Sequence, residues 1–184
     1  MEYQLRSLLN RARFNARLAG AVLLACLAPA VQGNLGRTAD FEERALAAHN
    51  RERAELGIPP LRWDNRLAAD AAQWAQHLTD VGYLVHSDDD DDDATEGENL
   101  WAGTAGYYSV ESMVGLWSAE KRYFRQGVFP ANSRTGDWDD VGHYTQIVWR
   151  DTARVGCAIA RGDDDEFMVC RYSQGGNVIG ERPF

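Results

Sequence analysis

Two histidines and two glutamates stand at junctions of this chain where side chains could be brought together. His86 closes Tyr83-Leu84-Val85, Glu98 lies in Gly97-Glu98-Asn99-Leu100, Glu120 interrupts an apolar stripe, and His143 follows Gly142. Imidazole with carboxylate can hold zinc or another transition metal, and can equally move protons as general acid and base. Spacing alone does not choose between these uses. Glu120 is the most pointed of the four. Met113, Trp117 and Phe124 recur at helical spacing, and an acid occupies the position that completes their stripe. A buried carboxylate is costly unless paired, hydrogen-bonded or metal-bound, so Glu120 either reaches past Trp117 to water or faces an internal cleft. His49, near Ala45 and Leu56, shares the ambiguity between structural and ligating imidazole. Other chemistries lack their motifs: there is no HExxH helix, no Gly-x-Ser-x-Gly elbow and no phosphate loop.

The elements that must position these residues are legible in part. Asp40 is a good helix N-cap for a first helix running to about Leu56, where Gly57 and Pro59-Pro60 stop it. Asp64 caps a second helix, whose Leu67, Ala71, Trp74, Ala75 and Leu78 share one face. Residues 80–108 read as loop, with glycines and six consecutive aspartates from Asp88 to Asp93. Such a charge run belongs in water, or at a loose calcium site if a defined turn supports it. A third helix is expected from about Ser109 to Phe124, then a loop from Arg125 to Asp140, a strand from Tyr144 to Trp149, and a final hairpin. Helices first and strands last, without βαβ alternation, give an α+β domain with a largely antiparallel sheet.

That hairpin contains the two cysteines of the chain's second half. Val155 to Ala160 and Phe167 to Tyr172 are apolar runs around a polar turn, and pairing them about the middle of the turn sets Cys157 opposite Cys170. At a non-hydrogen-bonded position they would form a disulfide; otherwise they remain two buried thiols. The third cysteine, Cys26, lies in a different setting. Arg6, Arg11, Arg13 and Arg17 precede an apolar run from Leu18 to Val31, with Ala28-Pro29-Ala30 supplying small residues for cleavage. That layout is a secretory signal peptide over residues 1–30, or to 33, and its apolar run is short for a membrane span. Residues 31–40 form a lead, and 41–184 the domain. Leu23-Leu24-Ala25-Cys26 also loosely resembles a lipoprotein box, so anchoring through Cys26 is the alternative to release. With 28 acidic against 19 basic residues and a net charge of −9, a nucleic-acid partner is not expected.

The segment Gly142-His143-Tyr144-Thr145-Gln146-Ile147-Val148-Trp149, with Thr152, closely resembles the first signature of the superfamily of cysteine-rich secretory, antigen 5 and pathogenesis-related class 1 proteins (CAP). Met168 to Val178 resembles its second signature, departing at Gln174, where proline or another restricted residue is usual. Supporting resemblances are His49-Asn50 with Arg53, Leu61-Arg62-Trp63-Asp64, His86-Ser87, and Gly97-Glu98-Asn99-Leu100. The resemblance implies a three-layer α-β-α sandwich with a central antiparallel sheet and a cleft lined by His86, Glu98, Glu120 and His143. It further implies a divalent metal such as zinc on His86 and His143 with the glutamates beside it. The ligand it suggests is small and apolar, a sterol or fatty acid, or else an extracellular partner. A non-catalytic module is the leading expectation, and a metal-dependent hydrolase using the same cleft the alternative. Two protein ligands, where catalytic zinc usually has three, weigh against the hydrolase.

Overall fold

A computed structural model of the chain describes residues 40–87 and 96–184. The leader, Cys26 and the aspartate run from Asp88 to Asp93 lie outside the described residues. In chain order the elements are α1 (Phe41–Glu55), β1 (Arg62–Trp63), α2 (Asn65–Val81), β2 (Glu96–Thr104), α3 (Val110–Ser118), a 3-10 turn (Ala119–Arg122), α4 (Gly142–Ile147), β3 (Arg154–Arg161) and β4 (Asp165–Ser173). The sheet runs β1-β3-β4-β2. Its three long strands are antiparallel, and β1 adds a short parallel edge.

Strand alternation explains the layering. On β4, Met168, Cys170 and Tyr172 join a core with α1, α3 and α4, whereas Phe167 and Val169 point the other way, toward Ala71, Ala75 and Leu78 of α2. One helix therefore covers one face and three cover the other, an α-β-α sandwich. The α2 helix forms where the pattern requires it. Asp64 accepts hydrogen bonds from the amides of Arg66 and Leu67, and Gly82 closes the helix at φ 79°. Gly156 of β3 lets this helix lie close: a Cβ there would meet the Asp64 carbonyl oxygen at 2.5 Å.

Four expectations are corrected. Asp40 precedes α1 in the left-handed region, and its side chain caps nothing. Residues 96–104, expected to be loop, form the nine-residue edge strand β2, held by a full ladder to β4. Its two glycines, two glutamates and asparagine are poor strand formers, so this strand exists because β4 templates it. The third helix is α only as far as Ser118 and then tightens to 3-10. The expected strand Tyr144–Trp149 is instead mostly the short helix α4. Five of its six residues are buried, leaving no polar face to betray a helical period. Its end is fixed by Arg53, which is fully buried and whose guanidinium donates to the carbonyls of Ile147, Trp149, Arg150 and Thr152 as well as Pro59.

The cysteine hairpin holds as read. Cys157 pairs with Cys170 in the ladder and is disulfide-bonded to it, with Cα atoms 4.1 Å apart.

Candidate functional site

Each histidine of the expected tetrad is joined to one of its glutamates. His86 Nδ1 lies 2.6 Å from Glu98 Oε1, and the Ser87 amide donates to the same oxygen at 3.2 Å. His143 Nδ1 lies 2.6 Å from Glu120 Oε1, while the Tyr144 amide donates to Glu120 Oε2 at 3.0 Å. A carboxylate only accepts, so each ring donates from Nδ1, and in the neutral ring the lone pair sits on Nε2.

The surroundings fix both acids. Glu98 faces Arg171 across the β2–β4 ladder, with Nε 3.0 Å from Oε2. Glu120 sits in the 3-10 turn, and its neighbour Lys121 is staked to α1 through Glu52 at 3.0 Å and Glu55 at 3.2 Å. The acid in the apolar stripe is thus hydrogen-bonded to a histidine ring and a backbone amide, with 19% of its side chain exposed. Trp117 stacks on the His143 ring, nearly parallel at 9° and 5.9 Å between centroids. Gly97 lets β2 reach α4: a Cβ there would collide with the Gln146 carboxamide.

Behind these two pairs, the cleft of the sequence expectation, runs a buried polar spine. Asn99, one residue beyond Glu98, donates to the His143 carbonyl and to Tyr172 Oη, both at 3.1 Å. Tyr172 Oη is 2.8 Å from His49 Nε2, and His49 Nδ1 is 2.8 Å from the Ala45 carbonyl. That carbonyl can only accept, so Nδ1 carries the hydrogen, Nε2 accepts, and Tyr172 must donate to it. Every proton in the spine has one place. Burial pushes the His49 imidazole down to about 4, against the pull of the Ala45 hydrogen bond, and pushes the Tyr172 phenol well above its ordinary value.

The two pairs flank the start of β2, but among the described residues no three of the four tetrad members bring ligand atoms within 4.8 Å of one another; the one such group is His49, Cys157 and Cys170. His86 and His143 are open to solvent, at 66% and 34% of their side-chain surface, whereas His49 is at 0%. His77 lies outside the cleft, stacked on Trp74. The sequence reading missed Tyr172 and Arg171 as parts of this site. A tyrosine in register with Met168 and Cys170 on the inward face of its strand was the available signal, because a buried hydroxyl needs a partner.

Comparison with known proteins follows the same lines. The model for the cysteine-rich secretory protein family (CAP) matches residues 46–172. Pathogenesis-related protein 1B of Nicotiana tabacum is 39% identical over 141 residues, 76% of this chain and 78% of the relative. Pathogenesis-related protein 1 of Arabidopsis thaliana is 36% identical over 146 residues, 79% of this chain and 83% of the relative. Among solved structures, NaASP2 crystallised with Zn2+ superposes with a TM-score of 0.68 at 20% identity, covering 81% of this chain and 87% of its own. Venom allergen-like protein 4 of Schistosoma mansoni gives 0.60 at 22% identity, covering 79% and 94%. At those identities the structures share the fold.

Proposed function

The chain belongs to the cysteine-rich secretory protein (CAP) family, and from that premise we propose that it is an exported, non-catalytic module whose paired histidines, His86 and His143, hold one divalent metal ion, zinc by the nature of the donors. One observation carries the reading. Both imidazoles give their Nδ1 hydrogen to a carboxylate at 2.6 Å, which is how metal-bound histidines are usually oriented and made more basic from behind. Support comes also from their access to solvent and from a fold neighbour crystallised with Zn2+. Glu98 and Glu120 then orient the rings and balance charge rather than bind the ion first. Export agrees with the basic and apolar leader and with a disulfide, a bond kept in oxidising compartments. No helix among the described residues is long and apolar enough to cross a membrane.

Calorimetric titration of zinc tests the proposal. His143→Ala should abolish binding and His77→Ala should leave it intact. Affinity should fall as the medium is acidified, because protons compete for the same ring nitrogens. Equal affinity in the wild type and the His143→Ala variant would move the metal elsewhere, to the aspartate run first.

A separate cavity supports the apolar-ligand reading. About 220 Å³ opens at the N-terminal end of α3, lined among others by Arg44, Tyr108, Val110, Met113, Ile159 and Arg161. Pockets that enclose drug-sized ligands run to about 300–1,000 Å³, so this one suits the end of a chain better than a sterol ring system. Met113→Trp should fill it and remove fatty-acid binding while zinc affinity is unchanged; loss of neither would dismiss the cavity as a binding site.

A further inference from the structure

His49, Cys157 and Cys170 place an imidazole nitrogen and two sulfurs within 4.8 Å of one another, all three residues buried, between α1 and the β3–β4 hairpin. While the sulfurs are bonded to each other they are poor donors. Reduced, they become two thiols beside an imidazole, which is most of a tetrahedral zinc shell. We propose that the reduced chain binds one Zn2+ through His49, Cys157 and Cys170, and that this metal site and the Cys157–Cys170 disulfide are mutually exclusive states of the same three residues.

Three further observations favour it. His49 keeps its hydrogen on Nδ1, committed to the Ala45 carbonyl, so Nε2 is the nitrogen that can turn to a metal once Tyr172 gives up its hydrogen bond to it. Two thiolates and one Zn2+ sum to zero charge, so a site sealed from water bears no net ionic cost. The group the metal would displace from His49 Nε2 is a neutral hydroxyl, Tyr172 Oη at 2.8 Å, so no ion pair is broken to form the site. This site is separate from the cleft and does not rest on the cleft reading.

The chemistry balances with an added reductant. A dithiol gives two electrons and two protons to the disulfide, leaving Cys157 and Cys170 as thiols and itself as a cyclic disulfide. Binding Zn2+ then releases the two thiol protons and forms two zinc–thiolate bonds. A disulfide-class oxidant taking two electrons expels the metal and closes the bond again. One consequence is that a chain still in a reducing compartment, before export, has a metal staple where the exported chain has a covalent one.

The test uses Co2+ as a spectroscopic probe on the full chain carrying Cys26→Ser and His143→Ala, which remove the third thiol and the cleft. The protein is reduced and refolded without oxygen, because the site is closed to solvent in the folded state. The expected result is one equivalent of Co2+ with thiolate-to-cobalt charge-transfer absorption. The oxidised protein and the Cys157→Ser/Cys170→Ser variant should lack the band. Cys170→Ser should weaken it, and His49→Gln should lower affinity at least about tenfold. Zn2+ should raise the melting temperature of the reduced protein and not that of the double-serine variant. Absence of the band in the reduced protein, or undiminished affinity in both His49→Gln and Cys170→Ser, would overturn the proposal; so would a reduced chain that zinc fails to stabilise.

Discussion

His49 and His143 belong to one network, linked through Tyr172 and Asn99, yet the chain uses the two rings in opposite ways. His49 lies in the spine, with no exposed surface, a carbonyl on one nitrogen and a hydroxyl on the other. His143 lies at the cleft, a third exposed, with a carboxylate on Nδ1 and an indole against its face. An acid partner and access to water make an imidazole available to an ion; in the disulfide-bonded chain, a dry site with neutral partners makes it a fixed neutral strut. The spine holds the cleft from below, since Asn99 grips the carbonyl of His143 itself, and Arg53 grips the other end of the same helix.

If the spine is structural and the cleft functional, damage to each should appear in a different assay. The largest effect is expected at Arg53. Arg53→Met removes a donor from five carbonyls, of which only that of Trp149 keeps another among the described residues, the Thr152 amide, and should cost roughly 3–5 kcal/mol in chemical denaturation, the sum of several buried acceptors left unsatisfied at about 1–3 kcal/mol each. A loss under about 1 kcal/mol would mean that water replaces the guanidinium and that α4 is held by other contacts.

Acid should next separate the two histidines. The folded His49 is pushed down to about 4, below the ordinary 6.5, so between these values the unfolded chain takes up a proton that the folded one refuses. Stability is therefore greatest above 6.5 and should fall by about 3 kcal/mol as the pH drops to 4, at 1.36 kcal/mol for each pKa unit. Melting curves of wild type and His49→Gln over this range measure it. Parallel curves would place the acid sensitivity in another group. Below this window Glu111, held down to about 2 by its hydrogen bond to Arg44, adds a second loss as it protonates.

Glu120→Gln should act on the cleft alone. The fold is expected to survive, since the amide can still accept from Tyr144, while zinc affinity falls about 10- to 100-fold, the usual effect of removing a carboxylate behind a histidine ligand. An unchanged affinity would break the assignment of Glu120 as the group that orients His143. The smallest effect on zinc affinity is expected for Tyr172→Phe. It removes the hydroxyl between His49 and Asn99 and should cost about 1–3 kcal/mol, with zinc affinity changed little because Asn99 still holds the His143 carbonyl. A large loss of affinity would show that the spine tunes the cleft rather than merely supporting it.

The cleft was more legible in the sequence than the element that carries half of it. Glu120 announced itself as an acid in an apolar stripe, a conflict visible in one helix turn, and its partner proved to be His143. The family signature pointed to the same four residues, and the structure joins them as two pairs. The elements around them were less readable. The segment holding His143 reads as a strand by its β-branched and aromatic residues, and it becomes a helix because Arg53, Asn99 and Glu120, distant in sequence, satisfy its backbone.

What the sequence by itself determined is what short-range physics writes: the capped α2 helix with its apolar face, and the hairpin whose turn sets Cys157 opposite Cys170. Both depend on residues a few positions apart, where spacing and turn chemistry suffice. Only the tertiary structure decided that residues 96–104 form a strand, that α4 is a helix, and that His49 is sealed while His86 and His143 are open. Each of these follows from a partner dozens of residues away. Local propensity is worth less than about 1 kcal/mol per residue, whereas a full ladder or a buried guanidinium bonded to five carbonyls outweighs it.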